Sequence, residues 1–288
     1  MKLSYLILAH KNLHHVDRMI KLLQHDHAEF YIHVDAKVET NEIRKYQFYN
    51  TPGITIIKKR YRVTWGGYNM VRATISLMKA ACKKREPGYL ILMSGQDFPI
   101  KSSGFIYNFL KEDYGREYLE HFPLPDPRWN LNAGLDRIKY YWFMDTIGPK
   151  GSGILYQMQK DNIEGRKFFE EFTPCGGSQW WCITDECAAY ILKFLRQNPI
   201  YEEYFEHTFI PDEVFFNTLV LNSPFKINTT NNNLKYITTK KGENVFPSIL
   251  TIDDWEILME SECLWARKFT DEKSSAILDR LESLQNLP

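Results

Sequence analysis

Three polar side chains stand where predicted apolar strands end. His10 follows the first apolar run, Asp35 follows the second, and Asp97 comes shortly after the fourth. The carboxyl ends of parallel strands meet at one edge of a sheet, and open α/β sheets bind their ligands there. We therefore expect a ligand site that uses an imidazole and two carboxylates.

Several familiar catalytic motifs do not occur. No G-x-G-x-x-G follows the first strand, no G-x-x-x-x-G-K-[ST] is found, and His10 and His14 lack the H-E-x-x-H context. Residues 176–180 resemble a nucleophile elbow without its closing glycine. The D-x-D motif that holds a metal in many sugar-nucleotide transferases is also missing. If a diphosphate binds, protein cations must therefore replace the metal.

The elements that position these residues alternate between strand and helix. Apolar runs at 3–9, 30–34, 54–57 and 89–93 predict strands, and apolar residues at helical spacing predict two helices between them. The helical positions are Val16, Met19, Ile20 and Leu23, then Thr74, Leu77, Met78 and Ala81. This order predicts an α/β fold with a mostly parallel, Rossmann-like sheet.

The second half is less regular. Proline, glycine and tryptophan interrupt residues 112–170, which predicts loops and short helices that line a cleft. A strand at 180–184, a helix at 187–195 and a helical tail follow.

Composition narrows the class of protein. The 288 residues carry 36 Lys and Arg against 36 Asp and Glu, a balance that argues against a general nucleic-acid binder. The five cysteines are odd in number and contain no C-x-x-C, which predicts free thiols rather than a disulfide framework or zinc site. No apolar run reaches eighteen residues, so we expect no integral membrane segment.

Six short blocks, in a fixed order, carry a family resemblance. They are His33 to Lys37, Trp65 to Gly67, Met93 to Ile100, Gly177 to Trp181, Pro211 to Glu213, and Leu264 to Phe269. The series resembles the core-2/I-branching β-1,6-N-acetylglucosaminyltransferase family (glycosyltransferase family 14), which also includes the peptide O-xylosyltransferases. The resemblance covers nearly the whole chain.

The resemblance implies a GT-A-like fold and a metal-independent, inverting transfer from a UDP-sugar to a glycan hydroxyl. It makes UDP-N-acetylglucosamine the expected donor, with UDP-xylose or another UDP-sugar as the alternative. We expect one domain, in which 1–110 is mainly the nucleotide-binding half and 111–288 mainly the acceptor-binding and catalytic half. A non-catalytic carbohydrate-binding relative is the rival hypothesis.

The resemblance places the general base at Glu213. An inverting displacement needs a carboxylate that takes the proton of the acceptor hydroxyl. Asp212 and Glu213 also open the apolar run 214–221, and acidic residues are favourable at a helix N-terminus. We assign that structural role to Asp212 and the catalytic role to Glu213.

The resemblance also assigns the donor contacts. Lys268 matches the family lysine that meets the diphosphate, where a fixed cation stabilises the charge of the leaving group. The resemblance also implies a second basic residue upstream of Lys268, which we assign to Lys241, with Lys240 as the alternative. Arg267 adjoins Lys268, but on a strand it would face the other way. The nucleoside and sugar contacts are expected at His10, Asp35, Lys37, Trp65 and Asp97. For Asp35 and Asp97 the alternative is a turn-forming role.

Acceptor contacts follow from the same comparison. Glu120 and Arg137 fall near the positions that hold acceptor hydroxyls, and Trp180 and Tyr236 offer stacking faces or a hydroxyl contact. The animal members of the family are membrane-anchored and disulfide-bonded, which this chain does not resemble. We therefore expect a bacterial enzyme of polysaccharide biosynthesis, cytoplasmic or peripheral at the inner membrane face.

Overall fold

The computed structural model describes residues 1–84, 86–240 and 246–285. The strands are β1 (Lys2–Ala9), β2 (Ala28–Val34), β3 (Ile54–Ile56), β4 (Gly88–Ser94), β5 (Asp97–Pro99), β6 (Glu117–Pro123), β7 (Cys175–Thr184), β8 (Thr229–Thr230), β9 (Lys235–Ile237) and β10 (Trp265–Arg267). The helices are α1 (Leu13–Leu23), α2 (Thr40–Ile43), α3 (Asn69–Ala81), α4 (Ser103–Glu112), α5 (Asn130–Ala133), α6 (Leu135–Lys139), α7 (Met144–Asn162), α8 (Asp185–Gln197), α9 (Pro199–Phe205), α10 (Phe215–Leu221), α11 (Trp255–Glu260) and α12 (Asp271–Gln285).

The described residues form two compact units that are interleaved along the chain. Unit 1 takes its residues from 1–58, 86–114 and 234–288, and unit 2 from 59–85 and 115–233. The division of one domain into halves near residue 110 stays a prediction.

Unit 1 is built on four parallel strands in the order β3-β2-β1-β4. All seven residues of β4 and all but the first of β1 are buried, which explains why both read as continuous apolar runs. Helix α1 buries Val16, Met19, Ile20 and Leu23, as their spacing predicts. The predicted α/β class with a mostly parallel sheet is confirmed.

A second, small sheet in unit 1 has the order β5-β10-β9. Strands β10 and β5 are antiparallel and place Arg267 opposite Asp97, whereas β10 and β9 are parallel and place Trp265 opposite Lys235. This register brings together residues that lie far apart in sequence. Lys268 is the first residue after β10.

Unit 2 contains β6 between β7 and β8, antiparallel to β7 and parallel to β8. A 3-10 turn at Pro211–Glu213 leads into α10, whose seven residues are all buried. The ring of Tyr201 packs against Phe205 in a tilted arrangement and against Phe215 edge-on, with ring centroids 4.8 and 5.0 Å apart, and its hydroxyl donates to the carbonyl of Phe215. This aromatic core supports the helix that follows Glu213.

The prediction for residues 112–170 was partly wrong. This segment contains β6 and the 19-residue helix α7, not only loops and short helices. The glycines and Pro149 hide the helical pattern, because the chain bends at Gly148 with φ 71° before the regular part begins. Tyr156 of α7 stacks on Trp142 at 4.6 Å, and this tertiary contact secures the helix.

The cysteines follow the prediction. All five are free thiols, and Cys175, Cys182 and Cys187 are buried. In the three described ranges, no helix combines the length and apolar character needed to cross a membrane.

Candidate active site

The turn that carries the predicted base begins at a strained residue. Ile210 has φ 48° and ψ 56°, a left-handed conformation that is costly for a β-branched side chain. Its amide donates to the carbonyl of Gly66 over 3.0 Å. A Cβ at Gly66 would lie 2.9 Å from the ring of Phe209, and Gly66 has φ +76°, so this position requires glycine. The Trp65-Gly66-Gly67 loop thus packs directly on the entry to the turn.

Arg137 and Glu213 form an ion pair in unit 2. Arg137 Nη1 donates to Glu213 Oε2 over 2.8 Å, and the two side chains are 11% and 32% exposed. The guanidinium carbon of Arg137 lies 3.6 Å from the ring centre of Trp129, a cation–π contact that holds the arginine in place. The structure therefore joins a predicted acceptor contact to the predicted base.

The electrostatic environment makes Glu213 a stronger base than an ordinary carboxylate. Burial raises its pKa, the ion pair with Arg137 opposes that shift, and the charge of Glu120 adds to it. Burial, reinforced by the charge of Glu213, raises the pKa of Asp212 to about 7. Asp212 is 8% exposed, so Glu213 is the more accessible carboxylate of the two.

Glu120 lies at an irregularity of β6. The pairing register with β7 shifts between Leu119 and His121, and a Cβ at Gly177 would lie 1.9 Å from the carbonyl oxygen of Glu120. Asn233 Nδ2 donates to Glu120 Oε2 over 3.1 Å. Bulges of this kind re-aim side chains beside functional sites, and Glu120 is exposed. Its role as an acceptor contact stays a prediction.

The predicted aromatic contacts occupy three different environments. Trp65 is 68% exposed and meets Phe209 edge-on at 5.5 Å, so one face of its indole is accessible. Trp180 is 7% exposed, and the prediction of a stacking face is corrected because its ring packs inside unit 2. Tyr236 is half-buried on β9 of unit 1.

The predicted nucleoside contacts at the strand ends of unit 1 lie near several cationic side chains. His10 is exposed after β1, and its pKa is lowered first by desolvation and then by the charges of Lys11, Lys37 and Arg267. Asp35 Oδ1 accepts the amide of Lys37 over 2.8 Å, and Lys37 Nζ lies 3.5 Å from Asp35 Oδ2. Asp35 therefore forms the turn that was its alternative role. A nucleoside contact for Asp35, His10 and Lys37 stays a prediction.

Asp97 is the centre of a buried ion-pair cluster. Its side chain is completely buried; Oδ1 accepts Arg267 Nη1 over 3.1 Å, and Oδ2 accepts Lys235 Nζ and the amide of Ser94. Lys235 is 1% exposed in its side chain and also donates to the carbonyl of Leu92 over 2.9 Å. Asp97 orders the turn and balances two cations, which corrects its assignment as a direct donor contact. The sequence signal for Lys235 was weak: one lysine in a short apolar strand.

Lys268 remains the candidate for the diphosphate. It is half-buried, and its pKa is lowered first by desolvation and then by the charges of Arg267 and Lys11. Such mutual repulsion indicates that an anion bound here would be stabilised. Lys240 Nζ instead forms an ion pair with Asp254 Oδ2 at 2.7 Å. The preferred second cation, Lys241, lies outside the described residues and stays a prediction.

Throughout 1–84, 86–240 and 246–285, no group of three or more His, Cys, Asp and Glu side chains is arranged to hold a metal ion. Metal independence itself stays a prediction, because substrate oxygens supply many of the ligands of Mg²⁺.

The parallel strands of unit 1, with polar groups at their carboxyl ends, belong to the class of open α/β sheets that bind ligands at this edge. Residues 3–256 match the family model described as Core-2/I-Branching enzyme, and the chain belongs to this family of glycosyltransferases.

The curated relatives are longer proteins. "Xylosyltransferase oxt" of Drosophila pseudoobscura pseudoobscura is 24% identical over 293 residues, covering 94% of this chain and 32% of the relative. "Xylosyltransferase 2" of Homo sapiens is 22% identical over 245 residues, covering 81% of this chain and 26% of the relative. This chain thus spans about a third or less of the length of these two relatives. Among solved structures, mouse xyloside xylosyltransferase 1 in its apo form aligns with 92% of this chain and 97% of its own, at 10% identity and a TM-score of 0.37.

Proposed function

We propose that this chain transfers a sugar from a UDP-sugar to a hydroxyl group of a glycan, with inversion and with Glu213 as the general base. The observation that carries the proposal is the Glu213 carboxylate itself, which is accessible, held by Arg137 and raised in pKa by burial. A base with a raised pKa takes a proton more readily. Membership of a glycosyltransferase family supports the same reaction class.

Each residue has one task in this reaction. Glu213 takes the proton of the acceptor hydroxyl while that oxygen forms a bond to the anomeric carbon. The bond between the anomeric carbon and the diphosphate oxygen breaks, and UDP leaves with the electron pair. Lys268 stabilises the charge that develops on the diphosphate, as a fixed cation can do in place of a metal.

The donor sugar has two candidates. The sequence blocks favour UDP-N-acetylglucosamine, whereas the relatives named xylosyltransferases favour UDP-xylose. Thermal stabilisation by each UDP-sugar, with EDTA or with Mn²⁺, identifies the donor and tests the metal. Stabilisation that requires Mn²⁺ would overturn metal independence.

The test of the base uses Glu213→Gln, with the exposed Glu203→Gln of α9 as its matched control. UDP release is measured from both donors in the presence of a panel of nitrophenyl glycosides. Loss of the base is expected to lower kcat by about 10²- to 10⁴-fold, with UDP binding retained. Equal rates in both variants would refute the base assignment. UDP-sugar binding without turnover by the wild-type chain would favour a non-catalytic carbohydrate-binding protein.

A further inference from the structure

Arg166 makes an unusual set of contacts within unit 2. Its Nη1 donates to the carbonyl of Tyr204 over 2.6 Å. Its Nη2 lies within hydrogen-bonding distance of four oxygens, namely the carbonyls of Ile138 (2.9 Å), Tyr140 (3.1 Å) and His207 (2.9 Å) and the hydroxyl of Thr208 (3.2 Å). In the described part of the chain these partners are main-chain carbonyls and a hydroxyl rather than a carboxylate. The guanidinium of this half-buried arginine therefore binds and orders mainly the polypeptide backbone.

The acceptors belong to two chain segments, 138–140 and 204–208. The first segment directly follows Arg137, and the second leads through Phe209 and Ile210 to the turn that carries Glu213. The segments also touch without Arg166, since the amide of Phe209 donates to the carbonyl of Arg137 over 3.0 Å. The hydroxyl of Tyr204 donates to the carbonyl of Ile138 over 2.6 Å. Arg166 is the side chain that bridges both segments with several bonds at once.

Aromatic rings hold the guanidinium in its position. Its carbon lies 4.0 Å from the ring centre of Tyr204 and 4.8 Å from that of Tyr141. The backbone amide of Arg166 donates to the carbonyl of Lys139 over 2.6 Å, which ties the residue itself to the first segment. The planar fork of arginine suits this bridge, because it directs several donors in fixed directions.

We propose that Arg166 is the positioning residue of the Arg137–Glu213 pair, which it aligns by clamping together the segment that follows Arg137 and the segment that leads to the turn of Glu213. The proposal rests on the proposed function, since alignment matters to turnover only if Glu213 is the base. A catalytic carboxylate must be held to within about 0.5 Å of its productive position, and a displacement of about 1 Å can cost about 10²-fold in rate. The strained Ile210 makes such support necessary, because an unsupported turn would relax.

The test is Arg166→Lys, which keeps the charge and loses the fork. We expect kcat for UDP release to fall about 10- to 100-fold, while KM for the UDP-sugar changes less than about twofold. The matched control is Arg18→Lys, another half-buried arginine, whose guanidinium pairs with the side chains of Asp279 and Glu282 and with neither of the two segments. Arg18→Lys is expected to leave kcat unchanged. An unchanged kcat in a folded Arg166→Lys variant would overturn the proposal.

A double-mutant cycle separates positioning from general stability. If Arg166 acts through the pair, adding Arg166→Lys to Arg137→Met costs less than about threefold in kcat, because the aligned partner is already absent. Fully additive losses would show a role independent of the pair and overturn the proposal. Should Arg166→Lys fail to fold, Thr208→Val removes the hydroxyl that accepts from Arg166 Nη2, and an unchanged kcat in that variant would again overturn the proposal.

Glu213→Gln is measured alongside these variants. If Glu213→Gln retains turnover, the proposed function fails. If Glu213→Gln loses turnover while Arg166→Lys keeps it, only the positioning role fails.

Discussion

Arg137 Nη1 lies 2.8 Å from Glu213 Oε2 across a sequence separation of 76 residues, and the arginine is the more buried partner of the pair. The pair balances two opposing effects on one carboxylate. Burial favours its neutral form, and the guanidinium favours its charged form. Arg137 thus limits the rise in the pKa of the carboxylate that we propose as the general base.

Arg137→Met is expected to move the acid limb of the kcat profile to higher pH. Arginine lowers the pKa of Glu213, so its removal raises that pKa and leaves less ionised base at any pH through which the group titrates. The shift is read from kcat between pH 5 and 9. The apparent pKa belongs to Asp212 and Glu213 together.

Arg128→Met is the control for that shift. The guanidinium of Arg128 binds Asp126 over 2.8 Å near the surface of unit 2. Its removal is expected to leave the acid limb where it was. A shift of the Arg137→Met profile to lower pH would contradict the electrostatic argument.

Asp212→Asn is expected to change how stability depends on pH. The pKa of Asp212 rises from about 3.9 in the unfolded chain to about 7 in the folded protein. The folded state therefore binds this proton more tightly, and the stability that it contributes is present below pH 4 and lost as pH rises to about 7. Asparagine has no proton to lose. The free energy of unfolding of the variant, relative to that of the wild type, should therefore rise by a few kcal/mol between pH 4 and pH 8.

Urea unfolding at pH 4.5, 6 and 8 checks this difference, with the exposed Asp161→Asn as control. A stability difference that is constant across the three pH values would rule out the raised pKa.

Asp97→Asn is expected to destabilise unit 1. The substitution leaves Lys235 and Arg267 without their shared carboxylate, and breaking a buried ion pair in this way costs about 3–5 kcal/mol. The exposed Asp26→Asn should change the free energy of unfolding by less than about 0.5 kcal/mol. A cost near zero for Asp97→Asn would mean that water reaches the cluster.

Lys268→Met is expected to weaken UDP binding more than uridine binding. A charge-assisted hydrogen bond contributes about 1.5–3 kcal/mol, so UDP affinity should fall by about 10- to 100-fold while uridine affinity stays nearly unchanged. Titration calorimetry with both ligands provides the comparison. The exposed Lys21→Met of α1 is the matched control. Equal losses for UDP and uridine would show that Lys268 does not meet the diphosphate.

Local patterns explain which predictions succeeded. The apolar runs of β1 and β4 and the helical spacing of α1 are properties of short windows, so periodicity alone identified them. Helix α7 was missed because glycines and a proline weaken its pattern, and its stability depends on contacts such as that between Tyr156 and Trp142. A helix or strand can therefore be predicted where the local sequence pattern and the tertiary packing favour the same structure.

By itself, the sequence determined the α/β class, the free cysteines, the family resemblance carried by an ordered set of motifs, and the candidate base Glu213. Only the tertiary structure decided that Asp97 is a buried counter-ion, that Trp180 lies in the core, that Arg137 pairs with Glu213 and that Arg166 bridges two backbone segments. The physical reason is distance along the chain. Asp97 and Lys235 are 138 residues apart, and no local pattern records which charges the fold brings together away from water.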